Sequence, residues 1–188
     1  MTAYKKTCRI ADMPTEDIEI ELQITCASWC KVPRLRSHIQ KAAQAAYEHI
    51  PKKLQKPVIV SVLLAGNAKI RQLNKAFRGM DKPTNVLSFP QFAPQELTAA
   101  FKGDSPLELG DMVLAYQYVV SEAKSDNKIL VNHLSHLIIH GILHLFGYDH
   151  LCDQEADRME KLETRIMKSM GLPDPYFVDE QAKTFKKK

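Results

Sequence analysis

The sequence predicts an α+β fold, a mixed sheet of about four strands flanked by five or six helices. Three observations predict it. Ile18, Ile20, Leu22 and Ile24 alternate with Glu19, Glu21 and Gln23, the period of a half-buried strand. Residues 57–64 are continuous, apolar and rich in β-branched side chains, as in a buried strand. Helical patterns interleave with the strands early and accumulate late, in the order β-α-β-α-β-β-α-α-α.

Taken in order, Pro33 opens a helical stretch to about Ile50, with Leu35, Ile39, Ala42, Ala43, Ala46 and Tyr47 at helical spacing, and Pro51 stops it. After the second strand Gly66 and Asn67 mark a turn, with Asn67 as the expected N-cap. The next helix runs to about Phe77. Its inward face is expected to be Ile70, Leu73, Ala76 and Phe77, and its outer side carries Lys69, Arg71, Lys75 and Arg78. Those charges read either as a solvated face or as a phosphate path continuing into Lys82.

Residues 84–89 form a short strand ended by Pro90, and residues 108–115 form another. The stretch between them, 91–107, contains Pro94, Gly103 and Pro106 and is expected to be a long, polar, mobile loop. Helices follow over 117–124 and 130–146. A last helix is expected to be capped by Asp153 and to run to about Met170, packed through Ala156, Met159, Leu162, Ile166 and Met167; Gly171 and Pro173 end it. One domain over 1–188 is expected, with short flexible tails that include Pro14 at one end and Lys186, Lys187 and Lys188 at the other.

The chemistry concentrates on the helix over 130–146. Leu134, Leu137, Ile138, Ile142 and Leu145 give it an apolar face. His140 and His144 are four residues apart, so their side chains stand one turn above each other. Gly147 permits the left-handed turn that ends a helix, and His150 returns from the segment beyond it. Two imidazoles from a helix and one from a loop can converge on a single zinc ion, leaving one tetrahedral position open as in a catalytic site. A lone histidine on an apolar helix is usually a satisfied core residue; three at ligand spacing with a glycine in register are not explained that way.

His140, His144, Gly147 and His150 match the offsets of the metzincin proteases, so this is a zinc-metalloprotease-like histidine helix. Gly141, however, stands where those enzymes have their glutamate base. Peptide hydrolysis is therefore disfavoured. His136 shares the face, but ligands from three successive turns would span about 12 Å, too far for one ion. His136 and His133 are left as structural, ligand-supporting or RNA-facing groups.

Composition bounds the rest. Across 188 residues, 45% hydrophobic content suffices for a core, and a net charge of +4 permits a polyanionic partner without demonstrating one. No apolar run is long enough to cross a membrane, and acidic residues from Asp12 to Glu21 disfavour a transit peptide, so a cytoplasmic protein is expected. Cys8, Cys26, Cys30 and Cys152 form no C-x-x-C pair and read as free thiols. Cys152 has two readings, an approach to the metal or a small buried residue, and the second is preferred.

Several of these segments resemble one family. His140-Gly141-Ile142-Leu143-His144-Leu145-Phe146-Gly147-Tyr148-Asp149-His150 is similar to the H-G-x-L-H-L-x-G-Y-D-H signature of the YbeY family of metal-dependent endoribonucleases. Leu73-Asn74 to Arg78-Gly79, Lys82 through Pro90, Leu109-Gly110-Asp111-Met112, and Glu155 to Gly171 resemble further stretches in the same order, so the resemblance covers about 55–172. Asn85 departs from the family's usual aspartate, which removes a charge and a possible base.

The resemblance implies one zinc at His140, His144 and His150, a catalytic role for Arg78, and single-stranded RNA as substrate. Ribosomal RNA processing and ribosome quality control follow, with ribosomal proteins or ribosome-associated factors as partners and no membrane. Zinc at such a site would lower the pKa of a bound water to about 7. Arg78 would pair with the phosphate. Ser88 could position substrate. Asp111 and Asp149 each read either as a support to a histidine or as a buried aspartate bonded to backbone; Tyr148 reads as packing. Attack by metal-activated water and by the RNA's own 2′-hydroxyl both stay open. The alternatives are a ribosome-associated RNA-binding factor with a mainly structural zinc, or a zinc hydrolase of another substrate class.

Overall fold

A computed structural model describes residues 17–102 and 105–177. Pro14, Cys8 and Lys186, Lys187 and Lys188 lie outside the described residues. The four strands are β1 (Ile18–Ile24), β2 (Val58–Ala65), β3 (Val86–Pro90) and β4 (Leu107–Ala115). They form one mixed sheet in the order β1-β2-β4-β3. β1 and β4 lie parallel to β2, and β3 is antiparallel to β4 at the sheet's edge. Parallel neighbours cannot be joined by a tight turn, so α1 (Leu35–Glu48) makes the crossover from β1 to β2.

The apolar run of β2 is explained by burial on both faces. Val58, Val60, Val62 and Leu64 join the main core with Ile39, Ala42, Ala43 and Ala46 of α1 and with Leu134, Ile138 and Ile142 of α5 (Leu130–Leu145). Each large aliphatic side chain buried there contributes about 1.5–3 kcal/mol. On the other face Leu63 packs with Leu87, Val113 and Ile70 of α2 (Asn67–Arg78). The histidine helix thus lies on one face of the sheet, beside α1, and α2 covers the opposite face. α4 (Tyr116–Ser125) precedes α5, and α6 (Asp153–Ser169) packs against it.

Four local expectations are corrected. Residues 91–107 are not a mobile loop, because α3 (Pro94–Ala100) forms within them. Pro94 pre-sets its first turn, the Ala93 N–H donates to the Glu96 carboxylate at 2.9 Å, and Leu97 is buried in the main core. Asn67 is the first residue of α2 rather than its cap. Its side chain is taken by another partner: Oδ1 accepts from the Tyr118 N–H at 3.2 Å, tying α2 to α4.

Phe77 does not face inward. It is 68% exposed and leans edge-on against Phe89 at the sheet rim, and Ala76 is exposed too. Asn74 takes the buried position instead, and its amide donates to the Lys82 carbonyl at 2.8 Å, folding the chain after α2 back on the helix. Finally, α6 begins at Asp153 with Cys152 as its N-cap residue; Asp153 and Glu155 in the first turn favour the positive end of the helix dipole.

Candidate metal centre

His140 and His144 lie on the last two turns of α5, and Gly147, at φ +79°, sends the chain back so that His150 faces them. The ligand atoms of the three residues all lie within 4.8 Å of one another. His140 Nε2 and His144 Nε2 are 3.0 Å apart. The His150 ring stacks against His140 at 5.6 Å between centroids and meets His144 edge-on at 5.1 Å. His140 and His144 are 24% and 20% exposed and His150 is exposed, so the cluster opens to solvent on one side.

The turn is built from below by α3. A Cβ at Gly147 would sit 3.0 Å from Leu97 and 3.3 Å from Pro94, so that helix is packed directly under it. Gly141 is also closely packed. A Cβ there would meet the buried Met112 at 2.0 Å and the Ser88 hydroxyl at 3.0 Å. That position faces the sheet, against β4 and β3, where a glutamate would have to displace the end of the buried Met112 side chain.

The residue that sequence reasoning missed is Glu163. It lies on α6 and is completely buried. A carboxylate only accepts, so both histidines facing it must donate. His140 Nδ1 donates to Oε1 at 2.8 Å and His136 Nε2 donates to Oε2 at 2.9 Å. The first bond leaves the lone pair of His140 on Nε2, the atom turned toward His144. Tyr176 donates its hydroxyl to Oε2 as well. Burial by itself would raise the Glu163 pKa; the hydrogen bonds and charges of His136 and His140 reverse that and hold it at about 2. His144 is pushed down to about 4, first by burial and then by repulsion from His140 and His150. It is neutral, and so a competent ligand, at pH 7. A cleft of about 260 Å³ opens beside His140 and His150, walled by Glu160, Glu163 and Tyr176.

A signal for Glu163 was present in the sequence. Met159, Ile166 and Met167 form the buried stripe of α6, and Glu163 sits within it. A carboxylate on an apolar stripe needs a partner in the core.

The other expected residues are placed as follows. His136 belongs to the Glu163 network and is outside the ligand cluster. His133 is buried and bonded to Glu122 at 3.0 Å. Ser88 points from β3 at Gly141, its hydroxyl buried without a partner among the described residues. Asp111 fits neither of its readings: it is exposed on β4, beside Phe89, and contacts no histidine among the described residues. Asp149 comes closer, with Oδ1 3.9 Å from His144 Nδ1 while accepting from the His150 N–H at 2.8 Å. Tyr148 packs, under the Arg158 guanidinium. Cys152 is neither a ligand nor buried; it is exposed at the start of α6, where the returning loop has left the core. Arg78 is the exposed last residue of α2, and the chain after it leads through Asn85 into β3. Asn85 is held by Glu122, to which its amide donates at 2.9 and 3.2 Å.

These residues fit a divalent metal: three nitrogen donors, one fixed in its tautomer by a buried carboxylate. Residues 23–171 match the model of the endoribonuclease YbeY family. The chain belongs to this family. The endoribonuclease YbeY of Bradyrhizobium diazoefficiens is 44% identical over 156 residues, 83% of this chain and 84% of its own. That of Paramagnetospirillum magneticum is 40% identical over 164 residues, covering 86% and 98%. The solution structure of TM1509 from Thermotoga maritima aligns with 85% of this chain and 99% of its own at 25% identity and a TM-score of 0.49. Within this YbeY family member, no helix among the described residues is long and apolar enough to cross a membrane.

Proposed function

We propose that this chain is a zinc-dependent endoribonuclease that cleaves single-stranded RNA in the cytoplasm, in ribosomal RNA maturation and ribosome quality control, among ribosomal proteins or ribosome-associated factors. The observation that carries this reading is the convergence of His140, His144 and His150 beside buried Glu163, in a chain whose relatives are named endoribonucleases. Zinc suits a site of three imidazoles with an open side. When bound, it supplies Lewis acidity at the scissile phosphate.

The chain's own residues do the rest. Glu163 keeps the proton of His140 on Nδ1. Arg78, exposed and free of ion pairs among the described residues, binds the phosphate and stabilises charge that develops in the transition state. Lys69 and Lys82 extend a path for the RNA backbone. Arg71 and Lys75 contribute less, because both are bonded to Asp81, at 2.8 and 3.0 Å. Asn85 is not a base: its amide is spent on Glu122, and its oxygen accepts from the Val86 N–H at 2.7 Å.

Arg78→Ala tests the role of the arginine against a binding-only protein. It is expected to fold, keep zinc and still bind RNA, while cleavage falls by about 10²–10³-fold, the usual effect of losing one charge-stabilising group. Unchanged cleavage would remove Arg78 from the mechanism.

A further inference from the structure

Tyr176 lies beyond the stretch that matches the YbeY family, residues 23–171. It is nevertheless built into the metal centre. Its hydroxyl donates to Glu163 Oε2, the oxygen that also accepts from His136. Its ring stands edge-on to His136, with centroids 5.4 Å apart and planes at 81°. Its backbone is anchored as well. The Tyr176 N–H donates to Asp174 Oδ1 at 2.9 Å, and Thr164 of α6, next to Glu163, donates its hydroxyl to the same oxygen at 3.2 Å.

We propose that Tyr176 is a positioning residue of the metal centre: with His136 it fixes the Glu163 carboxylate so that the other oxygen holds His140 in its ligand orientation. This rests on the metal-centre reading above. The terminal torsion of a glutamate is broad and two-fold, so its setting depends on the donors around it. Two donors converging on Oε2 define it, and Oε1 is then aimed at His140 Nδ1, 2.8 Å away. Removing the hydroxyl leaves Oε2 with one donor in a fully buried site and lets the carboxylate turn. His140 loses definition, and the metal is held less tightly. The effect reaches the metal through Glu163 and His140; Tyr176 itself is not a ligand.

The test compares wild type, Tyr176→Phe and Asp174→Ala. Zinc affinity is measured by competition with a chromophoric chelator, and RNA cleavage is measured at limiting and at saturating zinc. Partners of this kind typically tune metal affinity by about 10–100-fold, so Tyr176→Phe is expected to weaken zinc by about tenfold, at the low end because it acts one bond further out. Cleavage should fall at limiting zinc and recover at saturation, with KM for RNA unchanged. Asp174→Ala leaves the tyrosine intact but releases its backbone, and should shift zinc affinity in the same direction. Wild-type zinc affinity in Tyr176→Phe would overturn the proposal and leave the metal centre standing. A raised KM at unaltered zinc affinity would make Tyr176 a wall of the RNA cleft instead. Failure of the wild type itself to bind zinc would overturn the metal-centre reading and this proposal together.

Discussion

At the scale of single residues, His144 is the imidazole of the cluster whose proton affinity the surroundings lower. His144, pushed down to about 4 by burial and by its two histidine neighbours, binds its proton less tightly in the folded chain than at the ordinary 6.5. The unfolded chain therefore takes up protons first as the pH drops. Stability from this group is fully present above about pH 6.5 and is lost progressively toward pH 4. Urea unfolding of metal-stripped protein at pH 7 and pH 5 should show that loss, and His144→Gln should flatten it; an equal slope in the variant would put the effect elsewhere. The ligands were legible because their relation is local, four residues along a helix and a glycine-bounded return. The burial of Glu163 was legible from its place on the apolar stripe of α6, but its partner was not, because it meets His140 only through the packing of α6 on α5, across 23 residues of sequence. Asp111 misled for the complementary reason: a carboxylate in a familiar motif says nothing about which side of the strand it occupies.

At the scale of elements, sequence patterning located every strand and the long helices among the described residues. The order β1-β2-β4-β3 was not legible, since pairing across a sheet depends on tertiary neighbours rather than on period. The inward face of α2 was misphased because a buried polar residue, Asn74, displaced Phe77 from the pattern. α3 is the consequential omission. Its Pro94 and Glu96 are start signals, but seven residues between prolines and glycines read more readily as loop. Leu97 of this helix touches Gly147, so α3 supports the turn that delivers His150. Leu97→Ala should cost about 2–5 kcal/mol of stability and lower zinc affinity as well. Denaturant midpoints and a zinc titration on the same samples check this. Lost stability with intact zinc binding would show that the turn holds without α3.

At the scale of the whole molecule, a net charge of +4 is too small to specify RNA binding, and its distribution matters more. Asp81 neutralises part of the basic side of α2, which leaves Lys69, Arg78 and Lys82 as the cations free of ion pairs there among the described residues. If Lys82 contacts a phosphate, Lys82→Ala should lower the slope of log affinity against log salt for single-stranded RNA by about 0.7. An unchanged slope would take it off the path. The sheet, the histidine helix, α6 and α3 bring His140, His144 and His150 together, and the function proposed above requires that they hold a metal on which RNA cleavage depends. The most direct test is metal content and cleavage measured together on wild type and His144→Ala. About one zinc per chain is expected in the wild type, with metal and cleavage lost together in the variant. A wild type that takes up no metal when zinc is supplied, or a variant that cleaves RNA without it, would contradict the proposed function.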